Sequence, residues 1–129
     1  VDPQWTLPML DGALRKDLAF HMVTVDDIAW FAADAFMNPG EYRGRSLDVA
    51  SDSLTVDQMK AVYASVFARK APRLPIPLAL TRRFNAEMGR QLDWNNRVGW
   101  HFDLAPLRER HPELTSFRAF LLGKRDSMK

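Results

Sequence analysis

The stretch Leu18-Ala19-Phe20-His21-Met22-Val23-Thr24-Val25-Asp26-Asp27-Ile28-Ala29-Trp30-Phe31 decides how the chain is read. Its first eight residues are short and rich in strand formers, and they predict a strand over Leu18–Val25. Asp26 and Asp27 then supply an N-cap and first-turn negative charge for a helix. Behind them Ile28, Phe31, Ala32, Ala35 and Phe36 share one helical face. Asn38-Pro39-Gly40 stops that helix.

Working outward, Arg45–Ala50 sets Leu47 and Val49 against polar neighbours and predicts a second strand. Thr55 and Gln58 form a capping box, the hydroxyl taking the amide three residues on while Gln58 reaches back. The helix they open carries Met59, Val62, Tyr63, Val66 and Phe67 on one face, and Pro72 ends it. Leu74-Pro75-Ile76-Pro77 is extended, since proline biases its predecessor out of helix and denies a sheet its donor. Leu80, Phe84, Met88 and Leu92 recur every four residues and predict a third helix, with Arg82, Arg83 and Arg90 turned away from that stripe. Trp94–Phe102 is an aromatic loop, and Asp103 caps a short turn through Arg110. Thr115 caps a last helix with Phe117, Phe120 and Leu121 apolar and Gly123 at its end. The opening Val1–Lys16, with Pro3, Pro8 and Gly12, is irregular. The expected fold class is α/β, mixed α+β in isolation, with few strands and about four helices. One domain spans 1–129, and its sheet is incomplete.

Composition bounds the class. A chain of 129 residues, 47% hydrophobic and 26% charged, supports one folded core and excludes disorder or a fibrous coil. No uncharged apolar run approaches the roughly 20 residues a membrane helix needs, so no membrane partner is expected. The absence of cysteine removes disulfides, thiolate metal sites and a cysteine nucleophile. The Val1-Asp2-Pro3 start lacks an initiator Met and a signal segment, which reads as a cytoplasmic protein and as a piece of something longer. The net charge of +2 is unevenly spread: residues 1–68 hold 5 basic and 10 acidic side chains, residues 69–97 hold 7 and 2. Arg82, Arg83 and Arg90 in the basic stretch are candidates for docking a partner; the plainer reading is a solvated helix face. Segregated signs also let the two halves pair. A nucleic-acid partner is not expected.

The chemistry-bearing residues exclude more than they assign. Glycines stand at 12, 40, 44, 89, 99 and 123, none within three residues of another, so neither a dinucleotide fingerprint nor a phosphate loop exists. Tyr42 and Tyr63 are not followed by a lysine four residues on. His21, His101 and His111 lie far apart, and His101 with Asp103 is too sparse for a metal site, so none is expected. Ser46, Ser51, Ser53 and Ser65 show no nucleophile motif. Neighbouring Asp26 and Asp27 point about 100° apart on a helix and suit capping better than acid–base work. Trp5, Trp94 and Trp100 in loops could line an apolar pocket with Met9, Pro75 and Pro77, or plug the ends of the core.

Taken in order, several of these segments carry a family resemblance. Phe20-His21-Met22-Val23-Thr24-Val25-Asp26-Asp27-Ile28-Ala29 resembles a strand-to-helix step of the NmrA-like family, atypical members of the short-chain dehydrogenase/reductase superfamily. Asn38-Pro39-Gly40-Glu41-Tyr42-Arg43-Gly44-Arg45-Ser46-Leu47-Asp48-Val49-Ala50 is similar to its following loop and strand, and Leu54-Thr55 to a helix start. Asn95–Trp100, Asp103, Leu107-Arg108 and His111–Phe117 are similar to its closing segment. The match spans nearly the whole chain. It implies the C-terminal, substrate-side portion of a Rossmann-type protein, the dinucleotide-binding half being absent from this sequence. It further implies NADP or NAD for the whole protein and none held by this portion. The implied function is substrate binding in an NAD(P)H-dependent oxidoreductase acting on quinones or other carbonyl compounds. The alternative is a non-catalytic redox-sensing regulator working through a protein partner. No catalytic residue transfers to a matching position. Met9, Gly12, His21 and Trp94 are the expected substrate contacts. The portion alone is expected to be inactive, to expose an apolar face and to self-associate.

Overall fold

The computed structural model describes residues 3–71 and 75–127. Within them the chain forms α1 (Pro3–Ala13), β1 (Phe20–Met22), α2 (Val25–Met37), α3 (Pro39–Tyr42), β2 (Asp52–Leu54) and α4 (Val56–Phe67). Then follow α5 (Leu78–Phe84), α6 (Ala86–Arg97), α7 (Ala105–Arg110) and α8 (Phe117–Asp126). The fold is mixed but dominated by helix. Its sheet is a single antiparallel pair, in register Phe20↔Leu54, His21↔Ser53 and Met22↔Asp52.

α4 forms as its sequence predicts. Thr55 accepts from the Gln58 amide at 3.3 Å and the Gln58 carboxamide accepts from the Thr55 amide at 2.9 Å. The helix ends at Phe67, where Ala68 turns left-handed at φ 51°. Pro72 and Leu74, read above as a helix stop and an extended segment, lie outside the described residues. Val56, Met59, Tyr63 and Val66 are buried, and with Leu7 and Leu10 of α1, Leu92 of α6 and Leu121 of α8 they make the core. Phe20, Met22 and Leu54 of the sheet pack against it.

Several expected elements come out differently. The opening segment is a helix: Pro3 sits at its first position, where a missing N–H costs nothing, and Leu7, Leu10 and Leu14 fall on one face and are buried. Residues 45–50 form no strand. Leu47 is exposed there, and the ladder to β1 is made by Asp52–Leu54, extended by the Ser51 amide donating to the Met22 carbonyl at 2.7 Å. The long third helix is two. Asn85 closes α5 by donating its amide to the Thr81 carbonyl and opens α6 by accepting from the Met88 amide. That break rotates Leu80, Phe84 and Met88 into solvent and leaves only Leu92 of the stripe buried. Trp94 belongs to α6 rather than to a loop. Ser116, not Thr115, caps α8, and Gly123 lies inside it.

Two glycines are set by close approach. A Cβ on Gly12 would meet the Ile76 carbonyl oxygen at 2.2 Å, where the Ile76 amide also donates to Pro8. A Cβ on Gly89 would lie 2.8 Å from the Arg82 Cα, so α5 and α6 touch through bare backbone.

A candidate ligand cavity at the mouth of the sheet

The start of α2, the entry to β2 and the loop before α8 are tied together by one buried carboxylate. Thr24 caps α2, its hydroxyl accepting from the Asp27 amide at 3.2 Å. Asp27 is therefore not the cap. Its side chain points inward and is 2% exposed. One carboxylate oxygen accepts from the Thr24 hydroxyl at 2.7 Å, from the Ser51 hydroxyl and from the Thr115 amide at 3.2 Å. The other accepts from the Thr115 hydroxyl at 3.3 Å and faces His111 Nε2 at 3.3 Å. His111 lies flat on Trp30, ring centres 4.2 Å apart. Burial pushes the Asp27 carboxyl up, but the hydroxyls of Ser51 and Thr24 and both Thr115 donors outweigh it and hold it below its ordinary value of 3.8. The result is a pin joining α2, the entry to β2 and the loop before α8.

Beside this pin opens a cavity of about 830 Å³. Leu7 and Leu10 of α1, Phe20 and Met22 of β1, Met59 of α4 and Phe117 and Phe120 of α8 make its apolar walls. The hydroxyl-bearing Thr24, Ser51, Thr115 and Ser116 and the charged Asp26, Asp52 and Lys124 supply its polar ones. Asp52 holds the N-terminus of α8 by accepting from the Phe117 amide at 2.8 Å. Lys124 Nζ stands 5.7 Å from the centre of the Phe120 ring. Small-molecule sites have this size and this mainly apolar lining with a few polar groups.

Of the four residues expected to touch substrate, His21 is the one that lines this cavity. Both its ring nitrogens already have partners. The Phe102 carbonyl can only accept, so Nε2 donates to it at 3.3 Å, leaving Nδ1 to accept from the Ser53 hydroxyl at 3.3 Å. Gly12 is occupied by its contact with Ile76, and Met9 packs against the core. Trp94 lies elsewhere, edge-on to Trp100 at 5.2 Å. Trp5 falls in α1, and its side chain lies outside the described residues. Arg82 is paired with Asp93 at 2.9 Å, and Arg83 and Arg90 are exposed. The wall residues of α8 were missed as a site because their spacing reads equally well as core. The α1 wall was missed because two prolines and a glycine masked a regular Leu7, Leu10, Leu14 period.

The residues present do not fit a dinucleotide. Gly12 and Gly89 are closed by backbone and side-chain contacts, the left-handed Gly44 and Gly99 stand alone, and among the described residues no glycine turn leads a strand into a helix. Among the described residues no three His, Asp or Glu side chains gather as a metal site, and no helix is long and apolar enough to cross a membrane. A scan of protein-family models and a search of curated proteins each return no match to this chain.

Proposed function

We propose that this chain is the substrate-binding portion of an NmrA-like, NAD(P)H-dependent oxidoreductase, and that its cavity takes a flat apolar carbonyl compound of the quinone class. The cavity carries the reading: its volume suits a one- or two-ring compound, its walls are chiefly Leu, Met and Phe, and among its polar residues the Ser116 hydroxyl and the Lys124 ammonium can donate to a carbonyl oxygen. The ordered strand-to-helix and closing segments that resemble the family support the same reading. The dinucleotide belongs to a half this chain does not build, so the portion's own work is binding and orienting the substrate. A redox-sensing regulator would use the same cavity without turnover.

Gly123 provides the test. It lines the cavity inside α8, and a Cβ there would meet nothing within 4 Å. Gly123→Leu should therefore place a side chain in the cavity without backbone strain, while removing a glycine that costs a helix interior about 1 kcal/mol. Calorimetric titration with 2-methyl-1,4-naphthoquinone should show saturable binding to the native chain, weakened at least about tenfold in Gly123→Leu, or about 1.4 kcal/mol. Absence of saturable binding across a panel of quinones and aromatic aldehydes would sink the reading.

A further inference from the structure

α2 sits in the fold with much of its apolar face outward. Asp27 and Phe31 face in and are buried, and the half-buried Trp30 stacks on His111. Val25, Ile28, Ala32 and Phe36 follow one another at three- and four-residue steps beside them and face solvent, with Val25 79% and Phe36 86% exposed. A soluble helix ordinarily turns such a stripe toward a core. α2 carries no basic residue, and of its acids Asp27 is buried and Asp34 is bound by Arg110, which leaves Asp26 as the exposed carboxylate.

The elbow between α5 and α6 is its converse. Leu80, Phe84 and Met88 are exposed there, Phe84 at 82%. Four arginines accompany them against Glu87 and Asp93. Arg82 and Arg97 share Asp93, at 2.9 and 2.8 Å. Arg83 and Arg90 make no ion pair among the described residues, and neither does Asp26 on α2.

We propose that these faces are the two halves of one contact between copies of this chain, the apolar, acidic α2 of one copy seated on the apolar, arginine-rich α5–α6 elbow of the next. Charge complementarity selects a second copy as the occupant: the α2 face offers the exposed carboxylate of Asp26 and no cation, the elbow offers Arg83 and Arg90, and every chain carries both. Asp26, exposed at the N-terminal end of the stripe, is the carboxylate placed to meet Arg83 or Arg90. Because the two faces differ, the contact is head-to-tail and either closes into a ring or continues as an open chain. Val25 and Asp26 also line the cavity, so the contact and the cavity adjoin at the start of α2.

Light scattering on the 129-residue chain tests it. Mean mass should rise by more than about twofold between roughly 10 and 500 μM protein, as a head-to-tail contact requires. Phe36→Glu, and separately Arg83→Glu with Arg90→Glu, should each remain monomeric with circular dichroism unchanged. Mixed together, the two variants should form a dimer that grows no further, since the mixture offers one intact α2 face and one intact elbow. A native chain that stays monomeric throughout overturns the proposal. So does failure of the mixture to dimerise, which would mean α2 pairs with α2 or with some other surface. Association untouched by the double arginine change also overturns it.

Discussion

α4 and α2 differ in length by one residue, 12 against 13, and both are apolar at helical spacing, yet they lie in the fold opposite ways round. α4 buries Val56, Met59, Tyr63 and Val66. α2 buries Asp27 and Phe31 and leaves Val25, Ile28, Phe36 and Met37 in water. The difference lies in what waits for each helix. α4 meets Leu7 and Leu10, Leu92 and Leu121, an apolar surface that rewards its stripe at about 1.5–3 kcal/mol per large side chain. α2 meets donors on Ser51 and Thr115, and its own cap Thr24 adds a third, all accepted by the Asp27 carboxylate. Leaving those donors unpaired in the interior would cost about 1–3 kcal/mol each, enough to turn the helix over. Periodicity locates a stripe; the partners decide which way it faces.

The largest break in the comparison is at α4. Tyr63 is 1% exposed, stacked near Phe67 at 4.6 Å, and its hydroxyl accepts from Arg69 at 3.2 Å. Tyr63→Ala should cost about 4 kcal/mol in urea unfolding, through lost transfer energy and the void left behind. A loss under about 1 kcal/mol would mean that α4 is not the centre of the core.

Asp27→Asn comes next. The carboxamide keeps the shape but turns an NH₂ toward donors, so at least one of them loses its acceptor, and stability at pH 7 should fall by about 2 kcal/mol. The pH dependence checks the cause. The folded carboxyl titrates below 3.8, so ionised Asp27 stabilises fully at pH above about 4, and that contribution disappears as pH falls through the lowered folded value. Asp11 and Asp34 are also lowered, Asp11 by bonds from Lys16 and Lys60 outweighing burial and Asp34 chiefly by its bond from Arg110. Both therefore act in the same window in either protein. The gap between native and Asp27→Asn chains should accordingly narrow as pH falls below 3.8 and through the lowered folded value. A gap constant from pH 7 to pH 2 would place the effect in packing, with no part for the charge.

How much of this was legible follows the same division. The capping box, the α4 face and the stop at Asn38 rest on local signals, each a few residues long, and are where the sequence puts them, while the strand read over Leu18–Val25 forms only at Phe20–Met22 because Thr24 caps α2 and Val25 opens it. Asn85 was also legible in principle, since a helix-capping amide sits in the middle of a presumed helix. What could not be read was anything decided over long separations. Asp27 meets Ser51 across 24 residues and Thr115 across 88, and nothing near Asp27 announces either. The cavity gathers walls from both ends of the chain in the same way, with Leu7 and Phe120 facing one space. His21 could be singled out through the resemblance of Phe20–Ala29 to a strand-to-helix step, a local pattern. The phenylalanines of α8 could not, because a cavity wall and a core wall use the same side chains.

The smallest expected effect is the sharpest test of what the exposed side of α2 is for. Phe36→Ser removes a large side chain from a helix, which in a core would cost several kcal/mol. At 86% exposure Phe36 has little packing to lose, so unfolding stability measured in dilute protein should change by no more than about 0.5 kcal/mol. The same change deletes apolar surface from the proposed contact, so the mean mass of concentrated protein should fall toward the monomer. The two readouts have to separate. A helix whose outer face serves only the chain's own fold would lose stability with no change in mass, whereas a helix facing a partner copy loses mass and keeps its stability.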